Sequence, residues 1–309
     1  MFGFYIYVYY YCYLIGKNTI SYYICLFCSF VYVPTPHTNE VLGECLFNSL
    51  MDWSLDRKIS TITVDNCSTN DAMMTTLKMK LRKDELVLHG KVFHMRCCAH
   101  ILNLIVKEGV SVIEKSMERI RDSVAYWSAI PSRVEKFGQV SKQIDVSFDR
   151  KLDLDCKTRW NSTYDMLATA IDYKEVFYRV QHMDKHYKCV PTDDDWCLAE
   201  EICKKLAIFY EVTTLFSGSQ YPTVNYYFEK VFDIREALID WKGSLDLTIS
   251  MMADKMFEKF EKYWSEVHIV MATCTVLDPH FKLRAVDFIF RAVYGEEASV
   301  ELELFKNTI

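Results

Sequence analysis

The first apolar positions of the chain come as a block rather than a period. Met1–Val33 is hydrophobic and tyrosine-rich almost throughout, broken by Gly16-Lys17-Asn18-Thr19. Neither half reaches the ~20 residues that a helix needs to cross a bilayer core. A single span would hold Lys17 near its middle, which is costly. No basic stretch precedes the block and no small-x-small site follows it, so it does not resemble a secretory leader. Its aromatic and β-branched residues suit strands, although polar alternation is almost absent. Three readings stay open: an extension outside the main fold, core strands, and a membrane anchor over residues 1–33.

Beyond Pro34-Thr35-Pro36 the periodicity becomes legible. Thr38 is placed to cap a helix from Asn39 to Trp53, with Leu42, Leu46, Leu50 and Trp53 at helical spacing. Lys58–Asp65 alternates with period two, as a strand ending on an acid. Asn66–Asn70 is a polar turn, and Asp71 opens a helix carrying Met74, Leu77 and Leu81. Leu86–Leu88 and Val92–Met95 are expected strands around a turn at His89-Gly90. A helix follows from Ala99 through Val106, which Gly109 is expected to end. Ile113, Met117, Ile120, Val124 and Trp127 mark one face of the next helix, which stops before Pro131. Leu152–Asp155 alternates as a short strand, and Met166, Leu167 and Ala170 mark the helix after it.

From Thr192 the spacing is that of long helices. One runs through Trp196, Ala199, Cys203 and Leu206 to Gly218. Another is opened by Tyr221-Pro222-Thr223 and reaches Trp241. A third covers Leu247–Trp264, and an apolar run over Met271–Leu277 stops at Asp278-Pro279. Strands early and helices late predict an α/β chain with a mainly helical second part.

Composition narrows the class. Half of the 309 residues are hydrophobic, enough for a sizeable core, and 36 basic against 42 acidic residues give a net charge of -6. A protein that coats polyanions indiscriminately is thereby excluded, while a local basic groove is not. Twelve cysteines stand at scattered spacings and are expected as reduced thiols packed like small hydrophobes. Cys25-x-x-Cys28 has no second pair at zinc-finger spacing.

Three places carry candidate chemistry. Asp65 ends a strand before a helix, where open α/β sheets bind ligands; the competing reading is that Asp65 and Asn66 only shape the turn. His94, Cys97, Cys98 and His100 are the densest ligand-capable cluster, but crowding on one helix start works against convergence on one ion. The alternative is packed cysteines and a hydrogen-bonded histidine. Arg159-Trp160 pairs a guanidinium that can clamp a phosphate with an indole that can stack a base. Alternatively, Trp160 anchors its helix and Arg159 pairs with an acid.

The blocks Thr63–Asp71, Phe93–Leu104 and Thr158–Tyr164, in this order, resemble the hAT transposase superfamily, in particular its plant zinc-finger BED type. Tyr32–Thr38 and Val276–Lys282 also look like family blocks. The resemblance implies an α/β fold: a partial RNase H-like core over residues 30–175 and a mainly α-helical insertion region over 176–309. Residues 1–29 would then be an extension outside the family. It implies cut-and-paste chemistry in which three carboxylates hold two divalent metals that stabilise attacking and leaving oxygens. Asp65 matches the second catalytic acid, Cys97 and His100 the Cys-x-x-His block, and Arg159-Trp160 the Arg-Trp motif near the DNA-hairpin step.

Departures from the family pattern set the functional expectation. Residues 1–33 contain no aspartate, glutamate or tryptophan where the first catalytic acid belongs. The BED finger and the C-terminal block with the third acid and the dimerisation helices are missing. The expectation is a truncated, transposase-derived nuclear protein, catalytically inactive as a fragment. DNA is its partner, bound through Arg159, Trp160, Arg119, Arg121 and Arg133. No cofactor is expected, with magnesium or manganese at Asp65 only if the site were completed. A second expectation is a non-enzymatic interaction module that forms homo- or hetero-oligomers through Thr192–Trp264. A third is a nuclease completed in trans. No membrane partner is expected outside the anchor reading.

Overall fold

The computed structural model describes residues 4–15, 21–82, 84, 86–156, 159–218 and 223–308. Gly16–Thr19, Thr158 and Tyr221-Pro222, named above as a break, a motif residue and a helix start, lie outside the described residues. The chain forms two compact units, one of Met1–Ile101, Phe216–Glu229 and Trp264–Ile309, the other of Leu102–Leu215 and Lys230–Tyr263. The chain passes from one to the other within long continuous helices, so no single cut of the sequence divides them.

In the first unit, Phe4–Ile15 (β1) and Ser21–Val33 (β2) pair antiparallel, from Phe4↔Val33 to Ile15↔Ser21. A bulge steps the register between Val8↔Ser29 and Tyr9↔Phe27. Of the three readings of this stretch, strands describe its backbone, as its aromatic and β-branched residues favour. Among the described residues no helix is long and apolar enough to cross a membrane.

Asn39–Asp52 (α1) begins as its sequence predicts, the Thr38 hydroxyl accepting the Val41 N–H at 3.4 Å. Leu42, Leu46 and Leu50 are buried, packed with Met73 and Leu77 of Ser68–Lys80 (α2). Trp53 is not part of that face: the helix has ended and the indole is 52% exposed.

The expected strand over 58–65 shrinks to Ile62–Val64 (β3), parallel to His94–Arg96 (β4). Its first residues are lost because the N–H groups of Lys58 and Ile59 both go to the Leu55 carbonyl, closing a turn. α2 starts at Ser68, before Asp71, which therefore lies in the first turn where the helix dipole favours an anion. Leu86–Leu88 is no strand either. Val87–Gly90 is a tight 3-10 turn with φ of 51° at Leu88, 53° at His89 and 73° at Gly90. Lys78 Nζ donates to the Gly90 carbonyl at 2.6 Å, and a Cβ on Gly90 would lie 2.7 Å from Lys78 Cε. Only glycine fits there.

Cys98–Ile113 (α3) runs straight through Gly109, the expected stop. The glycine serves packing instead. In the second unit a Cβ there would lie 2.5 Å from Met256 Sδ and 3.0 Å from Met252 Cγ, both on Leu247–Leu277 (α10). The same helix continues through the apolar run that looked separate. Glu118–Ser128 (α4) buries Ile120, Val124 and Trp127 as spacing predicts. Pro131–Gln143 (α5) opens with proline at its first position, where no N–H is needed. Trp160–Asp172 (α6), Lys174–Val180 (α7) and Asp193–Ser217 (α8) follow. An aromatic chain joins four of these helices, with ring centroids at 5.8 Å for Trp127–Phe137, 5.0 Å for Phe137–Phe177 and 5.7 Å for Phe177–Trp196. Val224–Lys242 (α9) contributes to both units, while Lys282–Tyr294 (α11) and Ala298–Lys306 (α12) complete the first.

The glycine contact sets an expected outcome. Gly109→Val should lower stability by about 1–3 kcal/mol, the usual cost of overpacking a filled site, measured by thermal or urea unfolding. Ala, whose single methyl asks less of the flexible methionines, should cost less.

Candidate functional site

The parallel pair β3–β4 ends where its two following helices begin, so Asp65 and Cys97 stand at neighbouring strand ends, with the Cys97 N–H on the Val64 carbonyl at 2.8 Å. Asp65 is exposed, and Asn70 donates its amide to the carboxylate Oδ1 and, at 3.4 Å, to the Asp65 carbonyl. The next acid, Asp71, belongs to a different set: Arg96 Nη2 lies 3.4 Å from one of its oxygens and His94 Nε2 3.9 Å from the other. Among the described residues no three His, Cys, Asp or Glu side chains come together as a metal site. A two-metal centre needs carboxylates converging from several elements, and Asp65 presents one, already taken by an amide donor. The described residues around Asp65 do not by themselves fit a pair of divalent ions.

The cysteine–histidine cluster also fails to converge. Burial, helped by neighbouring Cys97, pushes the Cys98 thiol up to about 12. Tyr227 hydrogen-bonds it. Cys97 precedes α3 and His100 lies in its first turn, both half-buried.

In the second unit four of the five expected DNA contacts meet partners in the fold, although Arg119 remains exposed, its side chain 57% accessible. Arg121 forms a fork on Asp155 at 2.9 and 2.8 Å, and the Asp155 side chain is only 4% exposed. Arg119 pairs with Asp195 at 2.9 Å. The Arg133 guanidinium lies 3.7 Å from the centre of the Tyr126 ring and donates to the Tyr126 carbonyl at 3.2 Å. Trp160 is 3% exposed, edge-on to Tyr164 and Tyr210 at 6.4 Å. A base cannot stack on a ring packed in this way, so the indole is an anchor. Arg159 alone, at the N-cap position of α6, is exposed and in no ion pair among the described residues.

The segment that carries Arg159 is tied down on several sides. Leu152–Asp155 makes no ladder. Leu152 is buried, and the Asp155 carboxylate, gripped by Arg121, also accepts the Thr163 hydroxyl at 2.9 Å. Burial alone would raise the Asp155 carboxyl; Arg121 and Thr163 outweigh it and hold it below the ordinary carboxylate value. The Ser162 hydroxyl accepts the Cys156 N–H at 2.7 Å and donates to the Arg159 carbonyl at 2.6 Å. The Trp160 N–H reaches Asn103 Oδ1 at 3.4 Å. Asn103, Ser162 and Thr163 stood inside the family-like blocks and Asp155 at the end of an expected strand, but their roles carried no signal, since those depend on partners brought in by the fold.

Three family models cover most of the chain. The ZBED1 RNase-like domain matches residues 9–92, the ZBED1 RNase-like helical domain 95–205, and the hAT-like transposase, RNase-H fold, 225–309. The chain belongs to the hAT transposase superfamily. Its fold is α/β, an RNase H-like part with a helical insertion. Zinc finger BED domain-containing protein RICESLEEPER 2 of Oryza sativa subsp. japonica is 34% identical over 283 residues, 91% of this chain and 39% of that protein. The putative AC transposase of Zea mays is 31% identical over 91% of this chain and 35% of its own length. DAYSLEEPER of Arabidopsis thaliana is 28% identical over 87% of this chain and 38% of its own length. This hAT chain thus spans about two fifths of the curated relatives it matches.

Breaking the Arg121–Asp155 fork has a signed pH dependence. Asp155→Asn should cost about 3 kcal/mol at neutral pH by leaving a guanidinium unpaired. The native carboxyl is depressed, so its contribution is complete above the unfolded value of about 4 and is lost as pH falls through the folded one. Urea unfolding at several pH values should show the two proteins converging in acid.

Proposed function

We propose that this transposase-derived chain binds DNA through Arg159 and does not itself cut it. What supports the reading is where the five candidate contacts stand: Arg121, Arg133 and Trp160 are engaged by the fold and Arg119 pairs with Asp195 at the surface, while Arg159 is exposed on a segment tied from α3, α4 and α6. An arginine so placed grips a phosphate oxygen pair, and contacts of that kind orient a duplex without reading its sequence. A chain of net charge -6 binds by such a local contact rather than by an overall field. The inactive part of the reading rests on Asp65, whose carboxylate meets Asn70 in place of further acids. DNA as partner places the protein in the nucleus, without a resident cofactor.

A second reading is favoured by one surface. From the turn between α9 and α10 into the first turns of α10, Leu245 and Leu247 are fully or largely exposed and Met251 is half-exposed. Such a tip suits self-association through the helical region. Concentration-dependent sedimentation that Leu245→Ser and Leu247→Ser abolish would favour it.

The test of the main reading is binding of the full chain to a labelled DNA duplex, titrated against salt, with magnesium and manganese reactions alongside. Binding should weaken steeply with salt. Arg159→Ala should weaken it about tenfold, the worth of one charge-assisted hydrogen bond, and flatten the salt slope by about one ion. Asp65→Ala should bind as the native chain does. Salt-insensitive binding, or metal-dependent cleavage abolished by Asp65→Ala, would overturn the proposal.

A further inference from the structure

Asn103 joins two motifs that the sequence keeps far apart. It lies on α3, half-buried, and its side-chain oxygen accepts the Trp160 N–H at 3.4 Å across 57 residues of chain. That amide is the first of α6. The N-cap residue of α6 is Arg159, whose side chain makes no capping hydrogen bond. A helix that starts this way leaves its first-turn N–H groups without the acceptor that Ser, Thr, Asp or Asn supplies at the cap. Here an amide oxygen from another helix supplies one.

We infer that Asn103 is a positioning residue for Arg159. This deepens the DNA-binding reading and rests on it. The other ties of the segment are local or lie to one side: Ser162 closes the loop on Cys156 and Arg159, and Asp155 links it to α4 and to Thr163. Among the described residues it is Asn103 that ties the first amide of α6 to α3, one peptide away from the Arg159 carbon that carries the guanidinium. Fixing that peptide fixes the direction in which the side chain leaves the backbone. A guanidinium on a held backbone loses less freedom on gripping a phosphate than one on a fraying turn, and the saving appears as affinity. Arg159 cannot combine both roles. Its side chain has donors only, so it can meet a phosphate but cannot cap a helix start.

The experiment uses the full chain and a fluorescently labelled mixed-sequence DNA duplex at low salt. Asn103→Ala removes the acceptor while favouring α3 by helix propensity, so a loss of binding is not a loss of that helix. It should weaken binding about fivefold, the net worth of one hydrogen bond. Asn103→Asp, which keeps the acceptor, should restore it. Placed on Arg159→Ala, Asn103→Ala should add nothing, because it acts through that arginine. Hydrogen exchange of the free protein gives a readout that needs no DNA: the amides of Trp160–Thr163 should exchange faster in Asn103→Ala and as in the native chain in Asn103→Asp. Unchanged exchange, or losses that add in the double variant, would overturn the positioning role. Faster exchange with Arg159→Ala binding as the native chain does would overturn the DNA-binding reading instead.

Discussion

A guanidinium laid flat against a carboxylate that solvent barely reaches holds the irregular part of the helical unit together. Arg121 comes from α4, and Asp155 from a stretch with no ladder of its own. Taking the carboxylate out of water is unfavourable, and burial by itself raises its pKa. Two donors from Arg121 and one from Thr163 reverse that balance and leave the acid ionised. Without this pair, the Asp155 end of the segment would lose its tie to α4, leaving the Ser162 and Asn103 hydrogen bonds and the buried Leu152 and Trp160 side chains. With it, α4 and α6 share one fixed connection, and the residues just before α6 follow from it.

Much of the helical architecture was legible because helices are decided locally. Thr38 caps α1 through a partner three residues on, and Ile120, Val124 and Trp127 show their face by spacing alone. What was not legible depended on distant partners. The Lys58 and Ile59 amides chose a turn over a strand. The alternation at Leu152–Asp155 looked like a pleat, but its acid belonged to an arginine 34 residues away. Gly109 carries the usual mark of a helix end, yet what matters there is two methionines on another helix.

The candidate site shows the same division more sharply. A sequence reveals that an arginine is present but not whether it is spent, and Arg119 meets its acid 76 residues downstream. For Trp160 the two roles open to an indole, stacking and anchoring, demand opposite exposures, and burial decided for the anchor. Asp65 was placed correctly at a strand end, since a strand, a turn and a helix in succession are local. Its neighbours were not. Asn70 was one more polar turn residue until the fold aimed its amide at the carboxylate. The superfamily was recognisable earlier than any of these contacts, because blocks in a fixed order survive even where individual roles cannot be read.

The close approach at Gly109 also constrains how this helical unit can vary. The missing side chain on α3 and the long ones of Met252 and Met256 on α10 are two halves of one volume. A relative that carries a larger residue at the first position can keep the same helix spacing only by carrying smaller ones at the others. The three positions should therefore change as a set, and a chimera taking α3 from one relative and α10 from another inherits either a void or a clash.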